Sequence, residues 1–129
     1  MLLKRANTGY MDGFYSLPSG HIDGNEPANF AGSREAKEEV GVDVDTDDMQ
    51  LIFTLHFIGP GVDNERVAFF FEAKNWQGKI QNAEPEKCSE LKWVDINKLP
   101  ENIITELKHF FENLKLNKPF GYYGFPEAN

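Results

Sequence analysis

Two stretches of the chain alternate apolar side chains at the period-two spacing of β-strands. Residues 51–58 carry apolar side chains on both faces of such a strand, which is typical of a strand buried on both sides. Gly59-Pro60-Gly61 follows as a turn, and residues 67–73 form a second apolar run, so the two runs predict a β-hairpin. Residues 1–3 and 91–94 are shorter strand candidates.

Two other stretches have helical spacing. Residues 27–40 are predicted to form a helix, with Pro27 at the first helical position and Gly41 as the left-handed residue that ends it. A second helix is predicted from one apolar stripe made of Ile103, Leu107, Phe110, Phe111 and Leu114. Strands and helices mixed in this order predict an α/β sandwich with a mixed β-sheet. The length of 129 residues predicts one domain spanning 1–129.

Composition excludes several classes of function. The formal net charge of −8 disfavours binding to nucleic acid or to an anionic membrane surface. Cys88 is the only cysteine, so neither an internal disulfide nor a multi-cysteine metal site can form. We find neither a signal peptide nor an apolar run long enough to span a membrane, and we expect a cytoplasmic protein.

The predicted helix at 27–40 carries an unusual acidic face. Glu35, Glu38 and Glu39 stand at i, i+3 and i+4, so their carboxylates leave the same side of the helix. Each like-charge pair costs roughly 0.2–0.5 kcal/mol in an isolated helix, a penalty that a bound divalent cation would reverse. Arg34 is placed to orient Glu38 or Glu26. Such an oxygen cluster suits Mg²⁺ or Mn²⁺, whereas the simpler alternative is a solvated acidic helix face.

The wider spacing around this helix resembles the signature of the Nudix hydrolases, Gly-x₅-Glu-x₇-Arg-Glu-U-x-Glu-Glu-x-Gly-U, in which U is aliphatic. Every fixed position is filled, by Gly20, Glu26, Arg34, Glu35, Glu38, Glu39 and Gly41. Ala36 is smaller than the usual residue at the first U position. Leu17-Pro18-Ser19-Gly20-His21 resembles the Leu-Pro-Gly-Gly-His entry common in the family, and residues 91–100 resemble the strand and turn before its last helix. The resemblance implies a MutT-like Nudix fold, an α/β/α sandwich with a mixed β-sheet.

The resemblance also implies roles for individual residues. Glu35, Glu38 and Glu39 would bind the metal, together with the backbone carbonyl of Ser19. Four residues would be structural: Gly20, Glu26, Arg34 and Gly41.

A further carboxylate from a later loop commonly acts in the family as a ligand or as the base. Glu90 is the best match to it, with Glu84 and Glu86 as rivals. The catalytic set is then Glu35, Glu38 and Glu90, and either Glu35 or Glu90 would accept the proton from water. For contact with the substrate the candidates are Lys87, Glu84 and His56.

The implied reaction is hydrolysis of a diphosphate linkage in a nucleoside diphosphate linked to X. The leading substrate is a nucleoside triphosphate, cleaved to monophosphate and pyrophosphate. The alternatives are ADP-ribose, a nucleotide sugar or a dinucleoside polyphosphate, or a regulator of the same fold that binds a nucleotide without cleaving it. Relatives usually have more residues in the first strand, so we expect either a start upstream of Met1 or a second subunit, as in a homodimer, covering that sheet edge.

Overall fold

The computed structural model describes residues 1–61 and 63–126. In this part of the chain the elements, in order, are β1 (Leu2–Arg5), β2 (Tyr15–Ser16), α1 (Ala28–Val40), β3 (Met49–Ile58), β4 (Glu65–Ala73), β5 (Cys88–Lys92), α2 (Thr105–Lys115) and β6 (Phe120–Tyr123). A short 3₁₀ turn, Thr46–Asp48, precedes β3.

The strands form two three-stranded sheets. The first has the order β2-β1-β5 and is antiparallel throughout. The second has the order β4-β3-β6, in which β3 pairs antiparallel with β4 and parallel with β6. This second sheet confirms the prediction of a mixed sheet, although the strand that makes it mixed, β6, was not predicted from the sequence.

The predicted hairpin at 51–58 and 67–73 is confirmed, and both strands begin two residues earlier than expected. The helix predicted at 27–40 begins at Ala28, because Pro27 is extended (φ −64°, ψ 151°) and caps the helix instead of starting it. Gly41 ends the helix in the left-handed conformation (φ 74°), as predicted. The strand expected at 91–94 runs instead from Cys88 to Lys92, where it pairs with β1.

The two helices pack on the mixed sheet through different side chains. Phe110 of α2 stacks on Phe70 of β4 and lies beside Phe53 of β3, in a core that also holds Leu2 and Tyr15 of the first sheet. On α1, a Cβ added to Gly32 would overlap Met49 and touch Phe71, so this glycine lets the helix approach the sheet closely. Val40 of the same helix belongs to a second apolar cluster with Leu3, Val42, Val44 and Cys88.

Two loops distant in sequence meet beside α1. The loop between β1 and β2 contacts the turn that leads into β5: the amide of Ala6 donates to the carbonyl of Lys87 (2.9 Å), and Asn7 Nδ2 donates to the carbonyl of Glu86 (3.0 Å). This contact builds one wall of the cavity described below. Among residues 1–61 and 63–126, no helix combines the length and the apolar character needed to cross a membrane.

Candidate active site

A cavity of about 590 Å³ lies between α1 and the two loops that meet beside it. Its volume is in the range of small-molecule sites. Acidic and basic groups share the lining, which includes Arg5, Asn7, Ser19, Gly20, His21, Asp23, Arg34, Glu35, Glu38, Glu39, Glu84 and Lys87.

The three glutamates of α1 enter this cavity together. Two of them differ in exposure: the side chain of Glu35 is 14% exposed, and that of Glu38 is 51% exposed. Glu39 accepts a hydrogen bond from the backbone amide of Ser19 (2.9 Å). The structure therefore brings Ser19 to the acidic cluster through its amide N–H.

Arg34 holds the carboxylates on either side of it. Its guanidinium makes a two-point contact with Glu26, with Nε to Oε2 at 2.9 Å and Nη2 to Oε1 at 3.0 Å. Nη1 donates to Glu35 Oε1 (2.9 Å), and its contact with Glu38 Oε2 is longer, at 3.4 Å. Hydrogen bonds from Arg34 lower the pKa of Glu26 and keep it ionised. Of the two partners suggested by the sequence, Glu26 is thus held far more closely than Glu38.

Burial acts in the opposite direction on two of the cavity glutamates. Loss of solvent raises the pKa of Glu39 to about 7, against the hydrogen bond from Ser19, which lowers it. Desolvation also raises the pKa of Glu35, although Arg34 opposes this shift. Both carboxylates therefore stand in surroundings that lack sufficient positive charge, a deficit that a cation in the cavity would remove.

Glu90, the first-ranked loop carboxylate, lies on the side of the first sheet that faces away from the cavity. Leu3, Arg5 and Ser16 line the cavity, so this face of β1 and β2 looks toward α1. Lys4 alternates to the other face, together with its strand partner Glu90. Glu90 is exposed there and accepts a hydrogen bond from the hydroxyl of Tyr15 (3.1 Å).

Glu84 is the loop carboxylate that reaches the cavity, and it faces the glutamates of α1. Its place is fixed by the turn before β5, where the amides of Lys87 and Cys88 donate to the carbonyl of Glu84 at 2.9 and 3.0 Å. The sequence ranked Glu84 below Glu90, and the structure reverses their positions relative to the site. The third rival, Glu86, is exposed and is absent from the lining.

Two cationic side chains besides Arg34 share the cavity with the acids. Lys87, predicted as a candidate for substrate contact, lines the cavity. Its Nζ lies 3.9 Å from Oε2 of Glu84. Arg5 was not singled out in the sequence. It lines the cavity from β1 and is held by hydrogen bonds from Nε to the carbonyl of Tyr10 (2.7 Å) and from Nη2 to Thr8 Oγ1 (3.1 Å). In the sequence, Arg5 follows the short strand predicted at residues 1–3, and nothing around it indicated this role.

His56, the remaining candidate for substrate contact, lies elsewhere. It is on β3, pairs with Glu65 through Nε2 (2.7 Å) and packs edge-on against Phe125. Its side chain is 36% exposed, so it is neither a cavity residue nor a buried core histidine.

The donor set of the cavity fits a hard divalent cation. Within residues 1–61 and 63–126, no three histidine, cysteine or acidic side chains form a ready-made metal shell. Ser19 and Arg34 engage two of the cavity glutamates, Glu39 and Glu35. The same glutamates nevertheless line one cavity with Glu84, and two of them have raised pKa values. Carboxylate oxygens of this kind are the ligands of Mg²⁺ and Mn²⁺, so Glu35, Glu38 and Glu39 are the residues that would hold the ion.

Comparisons of the sequence and of the fold with known proteins agree with each other. The sequence pattern of the NUDIX domain matches residues 1–114. A MutT NUDIX hydrolase from Burkholderia pseudomallei superposes with a TM-score of 0.77 at 26% identity, over 86% of this chain and 84% of that one.

Two further solved structures share the fold. The MutT protein from Methanosarcina mazei Go1 has a TM-score of 0.73 at 19% identity, covering 89% of this chain and 81% of that one. The Mutator MutT protein from Bacillus halodurans has a TM-score of 0.69 at 20% identity, covering 95% of this chain and 80% of that one.

Proposed function

The chain belongs to the Nudix family and is one of its pyrophosphohydrolases, and on that premise we propose that it hydrolyses a nucleoside triphosphate with Mg²⁺ or Mn²⁺. The products are the nucleoside monophosphate and pyrophosphate. One observation carries this proposal: the glutamates of a single helical turn share a cavity with Glu84 and with the cationic side chains of Arg5, Arg34 and Lys87.

The acidic side of the cavity serves the metal. Glu35, Glu38 and Glu39 would hold the ion, and a divalent cation at this place would neutralise diphosphate oxygens and activate water. Glu39 is held by the amide of Ser19, and Glu35 by Arg34, so both carboxylates are positioned before the ion arrives. Arg34 is itself fixed by Glu26.

The basic side of the cavity serves the substrate. Arg5 and Lys87 stand across the cavity from α1 and supply positive charge for phosphate oxygens. Their presence explains how a chain of net charge −8 accepts a polyanion. A cavity of about 590 Å³ has room for a substrate with one nucleoside.

Hydrolysis forms a bond between the oxygen of water and one phosphorus of the diphosphate linkage. It breaks the bond between that phosphorus and the bridging oxygen, which leaves on the other product. Glu84 takes the proton that the attacking water releases, because it lines the cavity whereas Glu90 lies on the other face of the first sheet. The proton passes to solvent after the products leave. Glu35 is less suited to this role because it is already bound to Arg34.

The decisive experiment is a substrate panel with matched variants. Nucleoside triphosphates, ADP-ribose, nucleotide sugars and dinucleoside polyphosphates are tested with Mg²⁺ and Mn²⁺, and phosphate and pyrophosphate release are measured separately. Glu38→Gln and Glu39→Gln are expected to fold and to lose metal-dependent turnover. Glu112→Gln, on the exposed side of α2, is the control and should keep full activity.

The results distinguish the alternatives. Pyrophosphate release from a triphosphate supports the proposal, and turnover confined to nucleotide sugars or dinucleotides contradicts it. Tight nucleotide binding without release of either product would instead favour a regulator. Full activity of Glu38→Gln and Glu39→Gln would remove the metal-binding assignment.

A further inference from the structure

One side of the mixed sheet is only partly covered by a helix. We use the term outer face for the side of β4-β3-β6 that carries Leu51, Val67, Phe69, Phe120 and Tyr122. Strand register places four of these residues together: Thr54 of β3 lies between Phe69 and Phe120, and His56 lies between Val67 and Tyr122. Leu51 pairs with Phe71 and lies at the end of this surface nearest α1. Cross-strand partners point to the same side of a sheet, so these side chains form one surface.

Helix α1 covers only one end of the outer face. Gly32 of α1 meets Met49 and Phe71 there, at the start of β3 and the end of β4. Helix α2 packs on the opposite side of the sheet, against Phe53 and Phe70. Within the described residues, the rest of the outer face has no covering helix.

The exposure of this surface is large for apolar side chains. The exposed fractions are 54% for Leu51, 51% for Val67, 43% for Phe69, 52% for Phe120 and 67% for Tyr122. With about 150–250 Å² for each large side chain, these residues expose on the order of 500 Å². That is at the upper end of the apolar patches found on monomeric proteins, where such patches are often functional.

The exposed apolar area is a large part of what a dimer interface buries on each partner. A standard interface buries about 800 Å² on each partner, and its centre is apolar. The five side chains supply more than half of that area. Thr54 and His56 lie between them on the central strand, and Phe125 packs beside His56, so these three add polar and aromatic surface. Two sheets can pack face to face at about 10 Å, so no refolding is required.

Charge decides against a nucleic acid as the occupant. The strand positions that pair across the exposed part of this face include one carboxylate, Glu65, which is hydrogen-bonded to His56, and no lysine or arginine. A nucleic acid would find no cation for its phosphates there, and the net charge of −8 would repel it. A second copy of the chain meets an almost uncharged surface, which keeps the mutual repulsion of the two molecules away from the contact.

We propose that the chain forms a homodimer by packing the outer faces of two copies against each other about a two-fold axis. Each copy then buries the same residues, as an isologous interface requires. None of the five apolar residues of the outer face lines the cavity with the glutamates, so the cavity is not part of this contact. The dimer therefore stands or falls independently of the proposed substrate.

Sedimentation equilibrium of the full chain between 1 and 100 µM tests this proposal. We expect a mass of twice 14.7 kDa in the wild type. Tyr122→Glu should shift the dissociation constant at least tenfold upward, because it places a charge from each copy in the contact. Trp93→Glu is the matched control: Trp93 is equally exposed, at 68%, but lies beyond the end of β5, and its substitution should leave the mass unchanged.

Phe69→Ser is a milder second variant in case Tyr122→Glu does not fold, and circular dichroism checks each protein. It too should weaken the dimer. A wild type that stays monomeric at 100 µM would overturn the proposal, and so would a dimer that survives in folded Tyr122→Glu and Phe69→Ser. A dimer lost only in Trp93→Glu would place the interface on the first sheet and would equally refute it.

Discussion

The backbone of Gly20 lies directly against the carboxylate of Glu35. A Cβ built on Gly20 would overlap Glu35 Oε1 and come within 2.8 Å of Oε2. The φ of Gly20 lies outside the left-handed range, so its backbone conformation does not require glycine. Glycine is needed here because Glu35 approaches so closely. The loop that enters the cavity and the first glutamate of the cluster are thereby packed as one unit.

The Gly20→Ala variant is expected to fold and to lose activity. The added methyl group pushes Glu35 out of place, and misplacement of a catalytic group by about 1 Å can cost roughly 10² in rate. We expect kcat/KM to fall by about that factor while the melting temperature changes little. Gly24→Ala is the control, since nothing lies within 4 Å of a Cβ at that position. Equal activity of the two variants would show that the contact with Glu35 does not matter.

Exchange of Glu84 and Glu90 for glutamine separates the two candidate bases. Glu84→Gln removes the carboxylate that lines the cavity and should lower kcat by about 10² to 10⁴, the range for loss of a general base. Glu90→Gln changes an exposed residue on the far face of the first sheet and should leave kcat near the wild-type value. Steady-state kinetics on both purified proteins measures the difference. The assignment of Glu84 fails if Glu90→Gln is the more damaged enzyme.

The metal-free protein is expected to become less stable as pH rises from about 4.5 to about 7. Burial raises the folded-state pKa of Glu39 to about 7, so in this window the folded chain binds more protons than the unfolded chain. The free energy of unfolding then falls with rising pH and levels off above about 7. With partial exposure taken into account, the loss is on the order of 1–2 kcal/mol.

Thermal unfolding in a chelating buffer at several pH values measures this effect. Mg²⁺ at pH 8 should restore the lost stability, because a bound cation stabilises the ionised form of Glu39 and binds only the folded chain. Glu39→Gln should abolish most of the pH dependence between 5 and 7. A wild type and a Glu39→Gln variant with parallel stability curves would contradict the role given to Glu39.

Local spacing fixed the acidic part of the site. Glu35, Glu38 and Glu39 lie on one side of α1 because helix geometry depends only on hydrogen bonds between residues four apart. Gly41 adopts the left-handed conformation that its place after the helix predicts. The hairpin of β3 and β4 was also predictable, since its strands are adjacent in sequence and both strongly apolar. None of these features required knowledge of distant contacts.

Tertiary structure alone decided which distant groups join them. Pairing of β1 with β5 turns Glu90 away from the cavity, and contact between the loop after β1 and the turn before β5 brings Glu84 and Lys87 in. Arg5 enters the cavity for the same reason. Strand β6 and the bare outer face depend likewise on a parallel pairing with β3 across more than sixty residues. Register between strands so far apart is set by packing of the whole core, and composition and periodicity within either segment carry no record of it.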